Sequence, residues 1–418
     1  MGKILFVMPR LPFPATSGRK TSLYNYCKIL KKLGYELIVV SFLEDGDNPS
    51  KKPDFIDKIV FLPKVSGKEK IKNLIMKTLL ARKYPLQVSL YWSNDSKKII
   101  QHLISTERPD IIIADMVRTT EYIKSADCFK IADLDDMLSL RYKRQLEVDL
   151  NGVNPYGAYL KSLPKLVQKF LMNNEIKKLV LKSEIALLEK YELQMGKDCD
   201  AVVFVAQRES EIFNRKLGQN KAFTIPIGVD IEYFSKRIPN GSIDMNKIAF
   251  LGALDVAHNE NAVIHFVELI LPKILKTNPY VQFIVIGGGV TNRLKQYASS
   301  NVIFTDRVED VRDYIEQCRV FVCPLNFGTG IKTKNLEAMA MGVPIVTSPI
   351  GAENISAIDG EDWIIAKSDE DFADAVLKVL KDDILYEKLS TNGRCFIVNN
   401  YTWDKVQADF AELLTINQ

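Results

Sequence analysis

Short apolar runs alternate with amphipathic segments along most of this 418-residue sequence. The first runs are KILFVMP, ELIVVSFL, DKIVFLP, PDIIIADM, KIADLDD and DAVVFVA, which fall within residues 3–206. A run of about four to eight apolar residues without polar alternation is typical of a strand buried on both faces, and such strands form parallel sheets covered by helices. The segment LYNYCKILKKLG, which ends at Gly34, supplies a helix between the first two runs. The pattern predicts an α/β domain.

The same alternation restarts after the turn-rich segment FTIPIGVDIEYF. The later runs are KIAFLGAL, VQFIVIGGG, NVIFTD, RVFVCPL and VPIVTSP. A chain of this length exceeds what one hydrophobic core usually serves, so we predict a second α/β domain, with the boundary near 226–245. Residues 140–198 have no strand pattern and are predicted to form long basic helices, broken near Pro155 and Pro164.

Composition limits the classes of function. Hydrophobic residues make up 47% and charged residues 26%, which is the balance of a globular protein. The net charge of +4 is too small for a general nucleic-acid binder. Six cysteines without a CxxC pair predict reduced, buried thiols rather than a zinc site. The first apolar run is shorter than a secretory signal, and no stretch approaches the ~20 residues of a membrane span. We therefore expect a cytoplasmic or peripherally bound protein.

The segment FGTGIKTKNLEAMAMGVPIVTS at 327–348 is the strongest candidate for a binding site. It places a glycine turn after the run RVFVCPL, then a helix that stops at Gly342, then another apolar run. The turn thus lies at the carboxyl end of a predicted parallel strand and at a helix N-terminus, where open α/β sheets bind ligands. Free amides and the helix dipole there favour phosphate, and Gly328 and Gly330 allow the chain to approach it closely.

Three charged side chains of this helix fit a nucleotide. Lys332 and Lys334 lie in the first turn, where cations are unfavourable for the helix alone, and a bound diphosphate would remove that conflict. Glu337 follows one turn later and can accept two hydrogen bonds from a vicinal diol such as ribose. The alternative is an ordinary solvated helix with surface lysines and a core face formed by residues 338–340.

Asp133, Asp135 and Asp136 form an acidic cluster at the end of the run KIADLDD. Loops at this edge of a parallel sheet often carry chemistry, so these carboxylates are candidates for a second site. In the alternative interpretation, Asp135 or Asp136 caps the helix that follows. A metal site built from three near-adjacent acids is the less favoured hypothesis.

Two other features are open to more than one interpretation. The basic, leucine-containing stretches at 63–85 and 160–184 are typical either of helices that lie on an anionic membrane or of a solvated charged face. The glycines of VIGGGV, at 285–290, lack the GxGxxG spacing of a dinucleotide fingerprint, and we interpret them as a turn at a strand end.

The string GTGIKTKNLEAMAMGVPIVTS resembles the nucleotide-sugar signature of retaining GT-B glycosyltransferases, glycosyltransferase family 4 in particular. Further fragments appear in the order typical of that family, from ILFVMPRLPFPATSGRKTSLYN at the start through DLDDMLSLRY, IPIGVDIEYF, FLGALDVAHNENAV, VIGGG and FTDRVEDVRDYIEQCRVFVCPL to the terminal YTW. The resemblance implies two Rossmann-like domains facing a cleft. The first domain, residues 1–228, would lie on the acceptor side. The second domain, residues 229–400, would bind the nucleotide sugar. A helix at 401–418 would pack back on the first domain.

The resemblance also implies roles for individual residues. Glu337 would bind the ribose, while Lys332 and Lys334 would neutralise the diphosphate. Gly18, in the first loop, would face the donor phosphate, and Asp135 would contact the donor sugar or the acceptor hydroxyl. The remaining nucleotide-sugar contacts expected from the family pattern are Gly252, Arg307, Val308, Thr329 and Gly330. For Arg307 the alternative is a surface ion pair with Glu309 or Asp310.

Two departures from the family pattern put the identity of the donor in doubt. Thr329 stands where many relatives have a glutamate that touches the donor sugar, and Ala253 stands where an arginine is common. The resemblance still implies transfer from a UDP- or GDP-sugar to a glycan or lipid-linked hydroxyl, with retention of configuration and without a metal ion or other cofactor. The alternatives are an epimerase or hydrolase of the same fold, or a donor-binding subunit that has lost its chemistry.

Overall fold

The computed structural model describes most of the chain, namely residues 2–15, 18–43, 47, 51–148, 165, 168–169, 172–235, 243–328 and 330–416. Contacts between residues divide it into two compact units. Unit 1 comprises Met1–Pro226 together with Val406–Gln418, and unit 2 comprises Ile227–Lys405. Each unit has its own hydrophobic core.

The described residues of unit 1 contain a seven-stranded parallel sheet. Its strands are β1 (Lys3–Met8), β2 (Glu36–Phe42), β3 (Lys58–Leu62), β4 (Ile111–Asp115), β5 (Phe129–Asp135), β6 (Ala201–Phe204) and β7 (Ala222–Thr224). The strand order is β3-β2-β1-β4-β5-β6-β7, so the direction of the chain across the sheet reverses between β1 and β4. The central strands β1 and β4 are almost wholly buried, which explains their continuous apolar sequence.

Helices connect these strands. In unit 1 they are α1 (Gly18–Lys32), α2 (Gly67–Asn73), a π-helix (Leu74–Leu80), α3 (Leu86–Ser89), α4 (Asn94–Glu107), α5 (Met116–Ile123), α6 (Leu138–Val148), α7 (Asn174–Asp198) and α8 (Gln207–Leu217). α1 buries Leu23, Tyr26 and Leu30 against the sheet, as its amphipathic sequence predicts. Helix α7 lies within the predicted helical segment 140–198 and α6 begins two residues before it, whereas Pro155 and Pro164 lie outside the described residues.

The sheet of unit 2 has six parallel strands among the described residues. They are β8 (Asp244–Leu251), β9 (Gln282–Ile286), β10 (Val302–Asp306), β11 (Cys318–Cys323), β12 (Ile345–Thr347) and β13 (Ile364–Ile365). Their order is β10-β9-β8-β11-β12-β13, and the direction reverses between β8 and β11. The short strands β7 and β13 were not predicted, because neither has an apolar run long enough to signal a strand.

The helices of unit 2 surround this sheet. They are α9 (Ala257–His265), a π-helix (Phe266–Ile270), α10 (Leu271–Thr277), α11 (Asn292–Lys295), α12 (Arg312–Ile315), α13 (Thr333–Ala340), α14 (Asp369–Lys381) and α15 (Asp383–Asn400). In α13 the small side chains of Ala338 and Ala340 are fully buried, so the helix packs close to the sheet. Gly342 follows the end of α13 with a φ of +71°, a left-handed conformation that favours glycine.

A last helix, α16 (Trp403–Thr415), crosses from unit 2 into unit 1. Within unit 1, the Phe410 ring packs edge-on against Tyr26 of α1, with the ring centroids 4.9 Å apart. The described part of the chain contains no helix with the length and apolar content needed to cross a bilayer. The six thiols form no disulfide, but Cys395 is exposed and Cys128 is half-buried, so the prediction of buried thiols was wrong for these two.

Candidate functional site

A cavity of about 850 Å³ lies at the carboxyl ends of the strands of unit 2. It is formed by the ends of β8, β9 and β10 and by the start of α13, next to the point where the strand order reverses. The lining residues are Leu251, Gly252, Ala253, Asp255, His258, Asn259, Gly287, Gly288, Gly289, Asp306, Arg307, Val308, Val311, Ile331, Lys332, Thr333, Lys334 and Glu337. Its volume and its position are typical of small-molecule sites in open α/β sheets.

Two glycine-containing strand ends shape this cavity. A Cβ on Gly252 would lie 2.7 Å from the side chain of Asn259, so glycine is needed for that amide to lie against β8. Gly287 has a φ of +134°, and a Cβ there would lie 2.0 Å from the Gly252 carbonyl oxygen. Gly287, Gly288 and Gly289 therefore form a tight turn that lines the cavity. Their interpretation as a strand-end turn is consistent with this geometry, but sequence analysis did not place them in the site.

Lys334 projects into the cavity from the first turn of α13. Its Nζ donates a 2.8 Å hydrogen bond to Asn259 Oδ1 and lies 4.2 Å from the centroid of the Phe250 ring. Asn259 in turn donates from Nδ2 to the Ala253 carbonyl oxygen at 3.0 Å, which holds the amide in place. Within the described part of the chain, no carboxylate lies within ion-pairing distance of Lys334. Burial therefore lowers the pKa of Lys334.

Lys332 lies immediately before α13 and is almost completely buried. Its Nζ donates a 2.6 Å hydrogen bond to the carbonyl oxygen of Gly330. Gly328 and Gly330 both have positive φ values, +134° and +75°, so the turn adopts a conformation that favours glycine at these positions. Thr329 lies outside the described residues. The turn and both lysines thus lie together at the N-terminus of α13.

Glu337 lines the same cavity, one helical turn after Lys334. Burial raises its pKa to about 7, and the nearby Lys334 ammonium opposes that shift. Near neutral pH its carboxyl group therefore changes between an acid that donates one hydrogen bond and a carboxylate that only accepts them.

His258, which sequence analysis did not single out, also lines the cavity. Its pKa is lowered to about 4 by burial and by the positive charges of Lys334 and Lys332. The imidazole is therefore neutral at pH 7, and a bound anion between it and the lysines would raise its pKa. His258 and Asn259 lie at the start of α9, in the fragment FLGALDVAHNENAV. Their position shortly after a glycine at a strand end is the sequence feature that could have identified them as site residues.

Arg307 and Val308 follow β10 and line the cavity. The alternative of an ion pair between Arg307 and Asp310 does not hold. Asp310 instead accepts hydrogen bonds from Nε and Nη2 of Arg312 at 2.6–3.0 Å. Among the described residues Arg307 takes part in no salt bridge, and its side chain is exposed at the rim.

In unit 1, Arg19 connects three aspartates at the carboxyl ends of β4 and β5. Its Nε and Nη2 donate to Asp115 Oδ1 at 3.0 and 2.5 Å, Nη2 also donates to Asp133 Oδ2 at 2.7 Å, and Nη1 donates to Asp135 Oδ1 at 3.0 Å. The Asp115 and Asp133 side chains are 0% and 3% exposed, whereas Asp135 is 24% exposed. We call these four residues the Arg19 cluster.

The Arg19 cluster lies at the carboxyl ends of β1, β4 and β5, where the strand order of unit 1 reverses. Gly18, the predicted phosphate-facing glycine, directly precedes Arg19 and begins α1. The cluster therefore ties the first turn of α1 to two strand ends. Burial raises the pKa of both Asp133 and Asp135, and the Arg19 guanidinium opposes this shift. Arg19 was missed because a single arginine in the polar loop after β1 gives no sign of partners about a hundred residues away.

The structure corrects two interpretations of the acidic run. Neither Asp135 nor Asp136 accepts the hydrogen bonds of the amides at the start of α6. The Met137 amide donates to Glu209 Oε2, and the Ser139 amide donates to Glu192 Oε1. Asp136 instead pairs with Arg141. Among the described residues, no group of three or more His, Cys, Asp and Glu side chains is arranged to hold a metal ion. A guanidinium occupies the centre of the aspartates.

Residues 245–382 match the family described as "Glycosyl transferases group 1". An uncharacterized 44.6 kDa protein in the cps region of Klebsiella pneumoniae is 23% identical over 97% of this chain and 98% of its own length. A GDP-mannose-dependent monoacylated alpha-(1-6)-phosphatidylinositol monomannoside mannosyltransferase of Corynebacterium glutamicum is 22% identical over 50% of this chain. The alignment spans 61% of that enzyme.

Among solved structures, the Anabaena protein HepE in complex with UDP and glucose has a TM-score of 0.62 and 13% identity, and it covers 99% of this chain and 100% of its own. At that identity the likeness establishes the architecture. Together with the two parallel sheets, it confirms the predicted fold class, a GT-B pair of Rossmann-like domains. The residues that match this family model, 245–382, lie within unit 2.

Proposed function

We propose that this GT-B chain, with its glycosyl transferases group 1 domain in unit 2, is a retaining, metal-independent glycosyltransferase. It moves a sugar from a UDP- or GDP-sugar to a hydroxyl of a glycan or lipid-linked acceptor. One observation carries the proposal: the Lys334 ammonium lies half-buried in the cavity of unit 2 with an amide oxygen and an aromatic ring as its neighbours, beside a second lysine and a helix N-terminus.

A cation that is partly removed from water, with no carboxylate within ion-pairing distance, is unfavourable unless a ligand supplies the anion. In this cavity Lys334, Lys332 and the amides at the start of α13 all lie near the same space, so a doubly charged anion is the ligand that they fit. A diphosphate has the required charge and number of oxygen acceptors. His258 lies near the lysines and adds a neutral hydrogen-bonding group.

The rest of the cavity fits a nucleoside attached to that diphosphate. Glu337 supplies a carboxylate one turn further along α13, and two parallel hydrogen bonds from the ribose diol would satisfy both of its oxygens. Gly287, Gly288 and Gly289 leave room for a flat group, because they have no side chains on that wall. Arg307 and Val308 lie at the same wall and would frame the base.

The relatives support the choice of donor and setting. The Corynebacterium glutamicum enzyme is named for its use of GDP-mannose, and HepE was solved with UDP. The Klebsiella protein is named for the cps region. We therefore infer a nucleoside diphosphate sugar as donor and a role in surface polysaccharide biosynthesis for this chain.

In the proposed reaction, the bond between the anomeric carbon and the diphosphate oxygen breaks, and a bond from the acceptor oxygen to the same carbon forms. The acceptor proton passes to the departing diphosphate on the same face of the sugar, which retains the configuration. Lys332, Lys334 and the N-terminus of α13 stabilise the negative charge that develops on the leaving group. We assign Asp135 to the sugar or the acceptor hydroxyl, because it is the carboxylate of the Arg19 cluster that reaches solvent.

A thermal-shift screen with UDP, GDP, ADP and the corresponding sugars tests the donor site. A ligand at about 100 times its Kd stabilises the folded state by roughly 2.7 kcal/mol, so the Tm of unit 2 should rise by roughly 5–10 °C with the correct nucleotide. The exposed-lysine variant Lys276→Ala should keep that shift. If none of the nucleotides changes the Tm, the nucleotide site is disproved.

Product analysis distinguishes the enzyme classes. With the nucleotide sugar alone, a transferase leaves most of the donor intact, whereas an epimerase or hydrolase converts it. Tight nucleotide binding with no turnover across a broad panel of acceptors would instead identify a donor-binding subunit.

The affinity for nucleotide should fall as the pH falls below about 7. The pKa of Glu337 is about 7 in the empty cavity, and a ribose diol binds the carboxylate form, so binding must release a proton whenever the group is protonated. Titration calorimetry at pH 8 and pH 6 measures the change. The variant Glu337→Gln should bind more weakly at pH 8 and lose most of the pH dependence. A wild-type Kd that stays the same at both pH values would contradict this role.

A further inference from the structure

The helix at residues 67–80, formed by α2 and the π-helix that continues it, has its apolar side chains on the outside. Leu79 and Leu80 are each 69% exposed, and Ile71, Ile75 and Met76 are about half exposed. A helix on the surface of a globular protein normally shows the opposite arrangement. Exposed apolar groups that are this close in sequence and share one face form a contiguous patch, which is a mark of an interaction site.

Three polar side chains of the same helix, those of Asn73, Lys77 and Thr78, face the protein. Asn73 is buried and donates from Nδ2 to the carbonyl oxygens of Ser89 and Trp92, at 3.2 and 2.8 Å. Thr78 is buried as well, and its Oγ1 lies 2.7 Å from Ser89 Oγ. Lys77 places its ammonium 4.7 Å from the centroid of the Trp92 ring. These contacts fix the orientation of the helix, so its apolar side cannot turn inward without breaking them.

The spacing of the exposed residues follows from the helix geometry. Positions 71, 75, 76, 79 and 80 recur at intervals of four and five, which suits a helix that is wider than α over its second half. All five side chains therefore lie on one stripe. Before the helix, Ser66 Oγ accepts a hydrogen bond from the Glu69 amide, so the N-terminus of the helix is capped.

Positive charge surrounds this stripe. Residues 64–83 contain seven lysines and arginines and one glutamate, a net charge of +6, whereas the whole chain carries +4. The other residues together therefore carry −2. Lys68 and Lys72 are exposed within the helix, and Arg82 and Lys83 are exposed just after it. A surface with leucines at its centre and lysines at its rim matches an anionic bilayer.

We propose that the helix at 67–80 is a membrane-docking surface, which inserts Ile71, Ile75, Met76, Leu79 and Leu80 among the acyl chains of a bilayer with anionic lipid headgroups. A second copy of the chain does not suit this surface, because a symmetric contact would bring one +6 segment against another. The other basic stretch, at 160–184, lies partly outside the described residues, and the proposal does not include it. Vesicle binding and nucleotide binding are measured separately, since the helix belongs to unit 1 and the cavity to unit 2.

Co-sedimentation of the full chain with vesicles tests the proposal. We expect binding to vesicles that contain phosphatidylglycerol, little binding to vesicles of phosphatidylcholine alone, and weaker binding when salt is raised from about 0.05 M to about 0.5 M. The double variant Leu79→Gln/Leu80→Gln should bind at least about tenfold more weakly, because each buried CH₂ group contributes ~0.8 kcal/mol. Lys68→Gln/Lys72→Gln should also lose about tenfold or more, since each surface cation contributes ~1 kcal/mol.

Matched control variants distinguish binding through this helix from nonspecific binding of other exposed apolar or basic side chains. Ile358→Gln/Ile384→Gln removes two exposed apolar side chains from unit 2, and Lys276→Gln/Lys295→Gln removes two exposed lysines there. Both should bind vesicles like the wild type. All four double variants alter exposed side chains, and a circular dichroism spectrum and Tm equal to those of the wild type will verify their fold.

Three results would overturn the proposal. They are failure of the wild type to bind anionic vesicles, equal binding by Leu79→Gln/Leu80→Gln, and a lipid-free dimer that this variant converts to a monomer in sedimentation velocity. The last result would show that the helix contacts a second copy instead.

Discussion

Replacement of Lys334 by methionine is expected to lower kcat for glycosyl transfer by about 100-fold. The Lys334 ammonium lies at the start of α13, 4.2 Å from the centroid of the Phe250 ring, and methionine offers an apolar side chain of similar length without the charge. Loss of one preorganised group that stabilises a developing anion costs about 3 kcal/mol of barrier. The measurement is steady-state transfer from the nucleotide sugar identified by thermal shift. Lys276→Ala, an exposed lysine on α10, should stay within about twofold of the wild type.

The same variant should have an opposite effect on the stability of the empty protein. Burial lowers the pKa of Lys334, which means that folding weakens its hold on the proton. The charge therefore costs stability at every pH below its unfolded pKa, and Lys334→Met should be at least as stable as the wild type without ligand. Saturating nucleotide should then raise the Tm of the variant much less than that of the wild type. Wild-type turnover in Lys334→Met would remove the lysine from the diphosphate site, whatever its Tm.

Glu337→Ala should act mainly on donor binding. Because the carboxylate is proposed to hold the ribose and takes no part in proton transfer, we expect a large rise in the donor KM with a smaller change in kcat. A variant with unchanged kinetics would exclude Glu337 from the site.

The part of the cavity that the sequence predicted comes from one continuous segment. Lys332, Lys334 and Glu337 follow a glycine turn within ten residues, so strand, turn and helix could be assigned from local pattern alone. The other wall depends on chain segments that are brought together only by the sheet. The β8, β9 and β10 ends are neighbours because of the strand order, and no local spacing shows that Gly287 lies against Gly252.

Asn259 illustrates the same limit. Its amide bridges the Ala253 carbonyl oxygen and the Lys334 ammonium, which lies 75 positions further along the chain. An asparagine at the start of a predicted helix is usually explained as a capping residue. Only the approach of Lys334 to the start of α9 gives Asn259 a role in holding the cation.

The Arg19 cluster could be predicted only in part. Asp133 and Asp135 were visible because consecutive acids at the end of a buried strand are unusual, and their place at the carboxyl edge of the sheet followed from the alternation of strands and helices. Asp115 ends β4 within an otherwise apolar run, and Arg19 belongs to a polar loop. The contact between Arg19 and Asp115 is explained by charge, because carboxylates that are this deeply buried require a cation.

Replacement of Arg19 by methionine is expected to lower the free energy of unfolding of unit 1 by about 3–5 kcal/mol at pH 8, the usual cost of removing one partner from a buried ion pair. Asp115 and Asp133 would remain buried without their cation, at 0% and 3% exposure. Urea unfolding followed by circular dichroism measures the loss. Arg215→Met, which alters an exposed arginine of α8, should have little effect.

The dependence on pH identifies the cause of that loss. Burial already raises the pKa of Asp133 and Asp135 in the folded protein, and Arg19 opposes this shift, so without Arg19 both values should rise further. A carboxyl group whose pKa is higher in the folded state contributes stability that is present at low pH and is lost as the pH rises through that pKa. The defect of Arg19→Met should therefore be large at pH 8 and smaller at pH 5, and adding Asp115→Asn should restore part of the stability. A defect of the same size at both pH values, which Asp115→Asn does not relieve, would mean that Arg19 stabilises unit 1 through packing rather than charge.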